Sequence, residues 1–125
     1  MKRRMKIERK KLKEIGKYGE DIAVKFLEEN DYIIISRNFF CKYGEIDIIV
    51  KKEEEIIFCE VKTRTSNKFG NPKDAVNYYK KNHMRNSAKY FLYKNKLMDR
   101  YIRFDVIEVF ISYNEVYVNH IFNIM

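Results

Sequence analysis

The sequence predicts an α/β domain, one mixed β-sheet flanked by helices. Three observations predict it. A helical period runs over residues 13–30, an Ile- and Val-rich hairpin spans 44–62, and a second helical period over 73–95 leads into another hairpin over 101–122. Helix, three strands, helix, two strands is the order of a sheet with helices packed on it. With 125 residues the chain has room for a single core. It divides into a basic arm over residues 1–12 and one domain over 13–125.

The elements follow in order. The arm holds Lys and Arg with little apolar content, and reads equally as a solvated tail or as an arm touching nucleic acid. In the first helix Ile15, Tyr18, Ile22, Val24, Phe26 and Leu27 gather largely on one side with Ala23, and Asn30-Asp31 ends it. Glu20 lies near the edge of that stripe, and its position alone describes an ordinary exposed glutamate. Residues 32–38 form a short, continuously apolar strand with Phe39-Phe40 behind it, and Cys41-Lys-Tyr-Gly44 turns into the central hairpin. A polar loop over 63–72 follows, a plain connection or a substrate-contacting element. Pro72 sits where helices begin. The second helix buries Ala75, Val76, Tyr79, Met84, Ala88, Phe91 and Leu92, and the last two strands turn at residues 112–114.

The central hairpin is the most informative stretch. Folded about its charged turn at 52–54, it pairs residues whose numbers sum to 107, so Asp47 faces Glu60 and Glu45 faces Lys62. That register puts Glu45, Asp47, Glu60 and Lys62 on one face with Ile49 and Phe58 near the turn. Ile46, Ile48, Val50, Ile57, Cys59 and Val61 take the other. A slip of one residue would drive charge into the apolar face. Opposed carboxylates about 5 Å apart destabilise a strand pair unless one holds a proton or a cation sits between them. Lys62 is one such cation, and a divalent metal would be a stronger one. A solvated, charged outer face is the plainer alternative.

Asp, a turn and then Glu-x-Lys, led in by Gly44-Glu-Ile-Asp47, resembles the PD-(D/E)xK nuclease signature. With Gly19-Glu20, Glu60-Val-Lys-Thr-Arg64 and Arg103-Phe-Asp-Val106, the chain from about Gly16 to Val109 looks like the YraN-like (UPF0102) family of predicted endonucleases, relatives of archaeal Holliday-junction resolvases. The proline of the superfamily's name is absent, Ile46 standing there. The resemblance implies a restriction-endonuclease-like sandwich with an αβββαβ core. It implies that Asp47 and Glu60 hold Mg²⁺ (or Mn²⁺), that Glu20 and the Val61 carbonyl complete the site, and that Lys62 serves the reaction. It implies a lysine at the place of Lys80, and makes a homodimer plausible because resolvases act as two-fold pairs.

Charge points the same way. The net charge is +8, and residues 62–103 carry twelve basic against two acidic side chains, whereas residues 14–61 carry six basic against twelve acidic. Carboxylates for a metal beside cations for a phosphate backbone is the layout of a nuclease, and of a simple nucleic-acid binder too. Arg64, Lys68, Lys73, Lys80, Lys81 and Arg85 are the candidate nucleic-acid contacts, with DNA the expected partner. His83, a lone helix histidine, reads as surface. No apolar run approaches the ~20 residues of a membrane span, and the basic start lacks the apolar stretch of a signal peptide. Cys41 and Cys59 have no metal spacing and read as free thiols in a reducing cytoplasm. The leading expectation is a metal-dependent endonuclease acting on DNA. Its rivals are a non-catalytic nucleic-acid-binding module with a vestigial nuclease site and, more distantly, a structural protein.

Overall fold

A computed structural model describes residues 9–65, 78–112 and 115–125. The basic arm before Arg9, Lys68, Lys73, Ala75, Val76 and most of the polar loop with Pro72 lie outside them. The elements are α1 (Arg9–Glu29), β1 (Ile33–Cys41), β2 (Gly44–Lys52), β3 (Glu55–Arg64), α2 (Tyr78–Lys94), β4 (Tyr101–Ile111) and β5 (Val116–Ile121). The helical pattern of α1 thus runs into the expected arm, and β1 continues through Phe39-Phe40 to Cys41.

The five strands form one sheet in the order β1-β2-β3-β4-β5. β3 and β4 run parallel and the other neighbours antiparallel, so the sheet is mixed as the sequence predicts. A helix packs on each face. Ala23 and Leu27 of α1 join Ile48, Val50, Ile57, Cys59, Ile107 and Val109. Met84, Ala88, Phe91 and Leu92 of α2 join Ile49, Ile56, Phe58, Phe104 and Val106. Covered on both sides, β3 is buried without a break from Ile56 to Glu60, which is why it reads as a continuous apolar run rather than an alternating one. The architecture is an α/β sandwich of the restriction-endonuclease-like kind. Among the described residues no helix is long and apolar enough to cross a membrane.

The hairpin register is the expected one over five pairs, from Ile48↔Cys59 to Lys52↔Glu55, with Glu53 turning at a φ of 56°. Beyond Ile48 the ladder stops. The further pairs Asp47–Glu60 and Glu45–Lys62 are not in it, and Ile46 does not share a face with Ile48 but packs with Ile49 and Phe58 under α2. The cause sits on β1. Asn38 adopts a left-handed φ of 53° between the pairs Arg37↔Ile48 and Phe39↔Ile46, and asparagine tolerates that conformation better than most residues. It breaks the alternation of faces: Arg37 reaches Asp21 on α1 at 2.7 Å, while Phe39 lies edge-on to Phe91 on α2.

Candidate functional site

Where the ladder ends, the polar groups begin. The Val61 N–H, past the last paired residues, donates to Asp47 Oδ2 at 2.8 Å. Asp47 is thereby fixed at the edge of an open groove of about 460 Å³, whose walls include Glu20, Asn38, Glu45, Lys62 and Arg64. α1 approaches β3 closely here because Gly19 has no side chain. A β-carbon at Gly19 would fall inside the Thr63 side chain. Glycine in a helix interior costs ~1 kcal/mol relative to alanine, so Gly19 is placed for contact rather than for helix formation, and it brings the next residue, Glu20, to the groove. With its amide nitrogen turned toward the two acids, Asn38 donates to Glu20 Oε1 at 2.9 Å and to Glu45 Oε1 at 3.0 Å. The residue that bends β1 therefore also ties two carboxylates together.

Glu60 lies on the α2 side of β3 and is 6% exposed. Its Oε1 accepts from Lys62 Nζ at 3.2 Å and from Lys80 Nζ on α2. Cys59 and Val61 belong to the opposite face, under α1. The sequence places Lys80 among the phosphate contacts; in the fold its ammonium is engaged with Glu60.

The electrostatics follow from crowding. Burial, then the charge of Glu60, push the Asp47 carboxyl from an ordinary 3.8 up to about 7, against the Val61 hydrogen bond that favours its ionised form. Burial also raises Glu20, opposed by the Arg37 charge and aided by those of Glu45, Asp21 and Glu60. Burial lowers Lys62, and the hydrogen bond from Lys80 lowers it further, with Glu60 pulling the other way. For Lys80 burial works against the charge, but the hydrogen bonds to Glu60 and Lys62 outweigh it and its pKa rises. The arrangement can bind a cation, transfer a proton near neutral pH, or hold a phosphate beside its lysines. A hard divalent ion fits the donor set, which consists of carboxylate oxygens. Among the described residues no group of three or more His, Cys, Asp or Glu side chains is gathered in a metal-holding arrangement.

Of the other candidates, Arg64 lines the groove with its Nε buried and without a hydrogen-bond partner among the described residues. Lys81 is half-buried and Arg85 exposed on α2, and His83 is exposed there too. Cys41 and Cys59 are free thiols.

Sequence reasoning missed a second polar cluster. Asp105, fully buried, accepts from Arg103 Nε and Nη2 at 2.9 Å and from Asn123 N–H at 2.9 Å, with His120 Nε2 at 2.7 Å. Arg103 also donates to Glu55 Oε1 at 2.9 Å and to the Tyr32 hydroxyl at 3.3 Å. The signal was in Arg103-Phe-Asp105, a cation and an anion two apart on a strand and so on one face. The cluster sits under α1, on the stacked pair His120–Phe122, and knits the start of β3, β4 and the C-terminal segment.

Residues 19–109 match the uncharacterised protein family UPF0102. The UPF0102 protein of Clostridium perfringens strain 13 is 56% identical over 97 residues, covering 78% of this chain and 80% of that one. One from Caldicellulosiruptor bescii is 48% identical over 102 residues, covering 81% and 86%. One from Clostridium botulinum strain 657 is 45% identical over 101 residues, covering 80% and 82%. The matched span begins at Gly19, the residue that seats α1 against β3, and includes every groove residue named above.

Proposed function

The chain belongs to the UPF0102 family, and we propose that it is a metal-dependent endonuclease hydrolysing phosphodiester bonds in DNA, with branched or otherwise structured DNA as its substrate. One observation carries the reading. Asp47 is a carboxyl whose proton affinity is raised by burial and by Glu60, on a hairpin whose second strand supplies Glu60 and Lys62. An acid in that state wants either a proton or a cation, and perturbed groups of this kind cluster at functional sites.

Asp47 and Glu60 would hold Mg²⁺ or Mn²⁺, with Glu20 tied alongside through Asn38. Such an ion takes one or two carboxylates and fills its remaining positions with water and phosphate oxygens. When bound it lowers the pKa of a coordinated water and offsets charge growing on the phosphate. The chain's own residues do the rest. Lys62, with its charge destabilised by burial and by Lys80, stands at the groove to donate to a phosphate oxygen or to orient water. Lys80 holds Glu60 in place through its ammonium. Arg64, Lys81 and Arg85 offer cations to the flanking backbone, with Lys68 and Lys73 their partners in sequence, and a two-fold pair of chains would serve opposed strands.

One observation favours a second reading, a binding module with a vestigial site. Glu60 Oε1 already accepts from two ammonium groups, which compete with a metal for it. Incubation with linear, flapped and four-way DNA, in Mg²⁺ or Mn²⁺ and in EDTA, separates the two. The enzyme predicts cation-dependent cuts, absent in EDTA and in Asp47→Asn. The module predicts intact DNA throughout, bound with an affinity that falls steeply with salt.

A further inference from the structure

Helix α2 carries five basic and no acidic side chains over Tyr78–Lys94. One side of it is buried through Met84, Ala88, Phe91 and Leu92. Away from that side Tyr90 and Tyr93 are 38% and 73% exposed. Residues four apart on a helix are surface neighbours, so Lys89 adjoins Tyr93 and Lys94 adjoins Tyr90. Tyr90 is also anchored sideways. Its ring centre lies 6.4 Å from Tyr43 in the β1–β2 turn and 6.3 Å from Phe39, which is edge-on to the buried Phe91. Lys42 Nζ stands 5.0 Å over the Tyr43 ring. The outcome is a row of rings fixed to the core at one point, with Lys42 over the first and a lysine four residues away along the helix from each of the other two.

That pattern has a complementary ligand. Exposed rings set among lysines match a chain with anionic groups along its backbone and flat faces between them. Each stacked base contributes independently of sequence, and each phosphate meets a cation. A duplex hides its base faces inside its own stack and could use only the lysines. The row also has a direction. α2 begins at the carboxylate site, where Lys80 meets Glu60, and Tyr90 and Tyr93 follow ten and thirteen residues later, ~15–20 Å along the axis at ~1.5 Å per residue. This corresponds to about five nucleotides at the ~3.4 Å rise of a stacked strand.

We propose that Tyr43, Tyr90 and Tyr93, with Lys42, Lys89 and Lys94, form a stacking platform for unpaired nucleotides, so that the preferred substrate carries a single-stranded segment about five nucleotides from the reacting phosphate. The platform stands on the geometry of α2; the placement of the cut rests on the nuclease reading above.

The test is fluorescence anisotropy of labelled oligo(dT), oligo(rU) and a hairpin duplex, in EDTA so that nothing is cut. With no tryptophan in the chain, quenching of its tyrosine emission gives a label-free second readout. Tyr93→Ala and Tyr43→Ala should each weaken oligo(dT) binding roughly ten-fold and leave the duplex unchanged, while Tyr93→Phe binds as wild type. Tyr93 is exposed enough for its alanine variant to fold normally. Equal oligo(rU) and oligo(dT) affinities assign the platform to single strands of either sugar, and a preference assigns it to one. Alanine variants that bind oligo(dT) like wild type, or that lose single strand and duplex alike, overturn the platform. So does a folded wild type that ignores oligo(dT) at low salt, the result expected of a protein-docking face. Tyrosine-dependent oligo(dT) binding without cutting of any substrate in Mg²⁺ or Mn²⁺ would instead overturn the nuclease reading and leave the platform standing.

Discussion

Replacing Asp47 by Asn should make the metal-free protein more stable, and only above acid pH. The Asp47 carboxyl is raised from 3.8 to about 7 by burial and by the charge of Glu60. A carboxyl raised on folding is protonated in both states below pH ~4, so its contribution is fully present there. As pH climbs toward 7 the unfolded chain ionises while the folded one resists, and stability is lost until the folded group titrates. At ~1.4 kcal/mol per pKa unit the whole loss is on the order of 4 kcal/mol. Asparagine keeps the shape and still accepts the Val61 N–H bond through its carbonyl oxygen, but has no charge to lose. At pH 8 the variant should therefore melt about 5–15 °C above wild type, and the gap should close by pH 4. Thermal denaturation by circular dichroism between pH 4 and 8 reads this directly, because titrating groups remote from Asp47 contribute equally to both proteins. Millimolar Mg²⁺ should then raise the wild-type melting temperature and leave the variant unmoved, since an ion stabilises only the state that binds it. Parallel pH profiles, or a variant less stable than wild type at pH 8, would refute the reasoning and make Asp47 a structural residue.

Lys80→Met leaves Glu60 to Lys62 alone; the Lys62 pKa, held down by burial and by the Lys80 hydrogen bond, should climb back toward 10.5. NMR titration of the lysine ε-carbons follows it, and an unchanged or lower value contradicts the shared-carboxylate picture. Gly19→Ala should cost roughly 1–3 kcal/mol through overlap with Thr63, partly restored by Thr63→Ala. Gly16→Ala, with no atom within 4 Å of its new β-carbon, should instead stabilise by about 0.5–1 kcal/mol; chemical denaturation distinguishes the two. Asp105→Ala strands the Arg103 guanidinium beside a buried hole and should cost about 3–5 kcal/mol in urea unfolding, while leaving cation binding at Asp47 intact.

Much of this was legible in the sequence, and the rest was hidden for definite reasons. The hairpin register could be read because side chains alternate with a period of two and one apolar face admits no slip. Ile46 was misassigned because that period assumes an unbroken strand. One left-handed residue on the neighbouring strand, Asn38, turns the pair over between Ile46 and Ile48, and nothing local to Ile46 records it. Asparagine inside a strand was the available clue. Glu20 looked ordinary because its importance depends on where α1 crosses β3, yet Gly19 in a helix interior already hinted at a close crossing. Lys80 was invisible as a partner of Glu60. Lysine on a helix is compatible with solvent, phosphate or carboxylate, and only tertiary contact selects among them.

The two sides of the hairpin end up electrically unlike, and this bears on how a site of this kind would load. On the α2 side the single carboxylate of Glu60 meets two ammonium groups. Toward α1, Glu20, Glu45 and Asp47 lie around one groove whose cations are Lys62 and Arg64, with the amide of Asn38 between two of the acids, and Arg37 is committed to Asp21. Negative charge is therefore in excess on the α1 side and compensated on the α2 side. A free cation would enter from the groove under α1, where Asp47 and Glu20 both hold protons more tightly than usual and would exchange them for it. A phosphate backbone would be drawn to the lysine-rich flank of α2. Lys62 lines the groove and is bonded to Glu60, so it joins the two sides and occupancy of one should be felt at the other. A cation drawing on Glu60 would loosen Lys62 and Lys80 for an anion, and a phosphate drawing off those lysines would free Glu60 for a cation. Cation and nucleic acid should accordingly bind with positive cooperativity, each raising the other's affinity by the same factor.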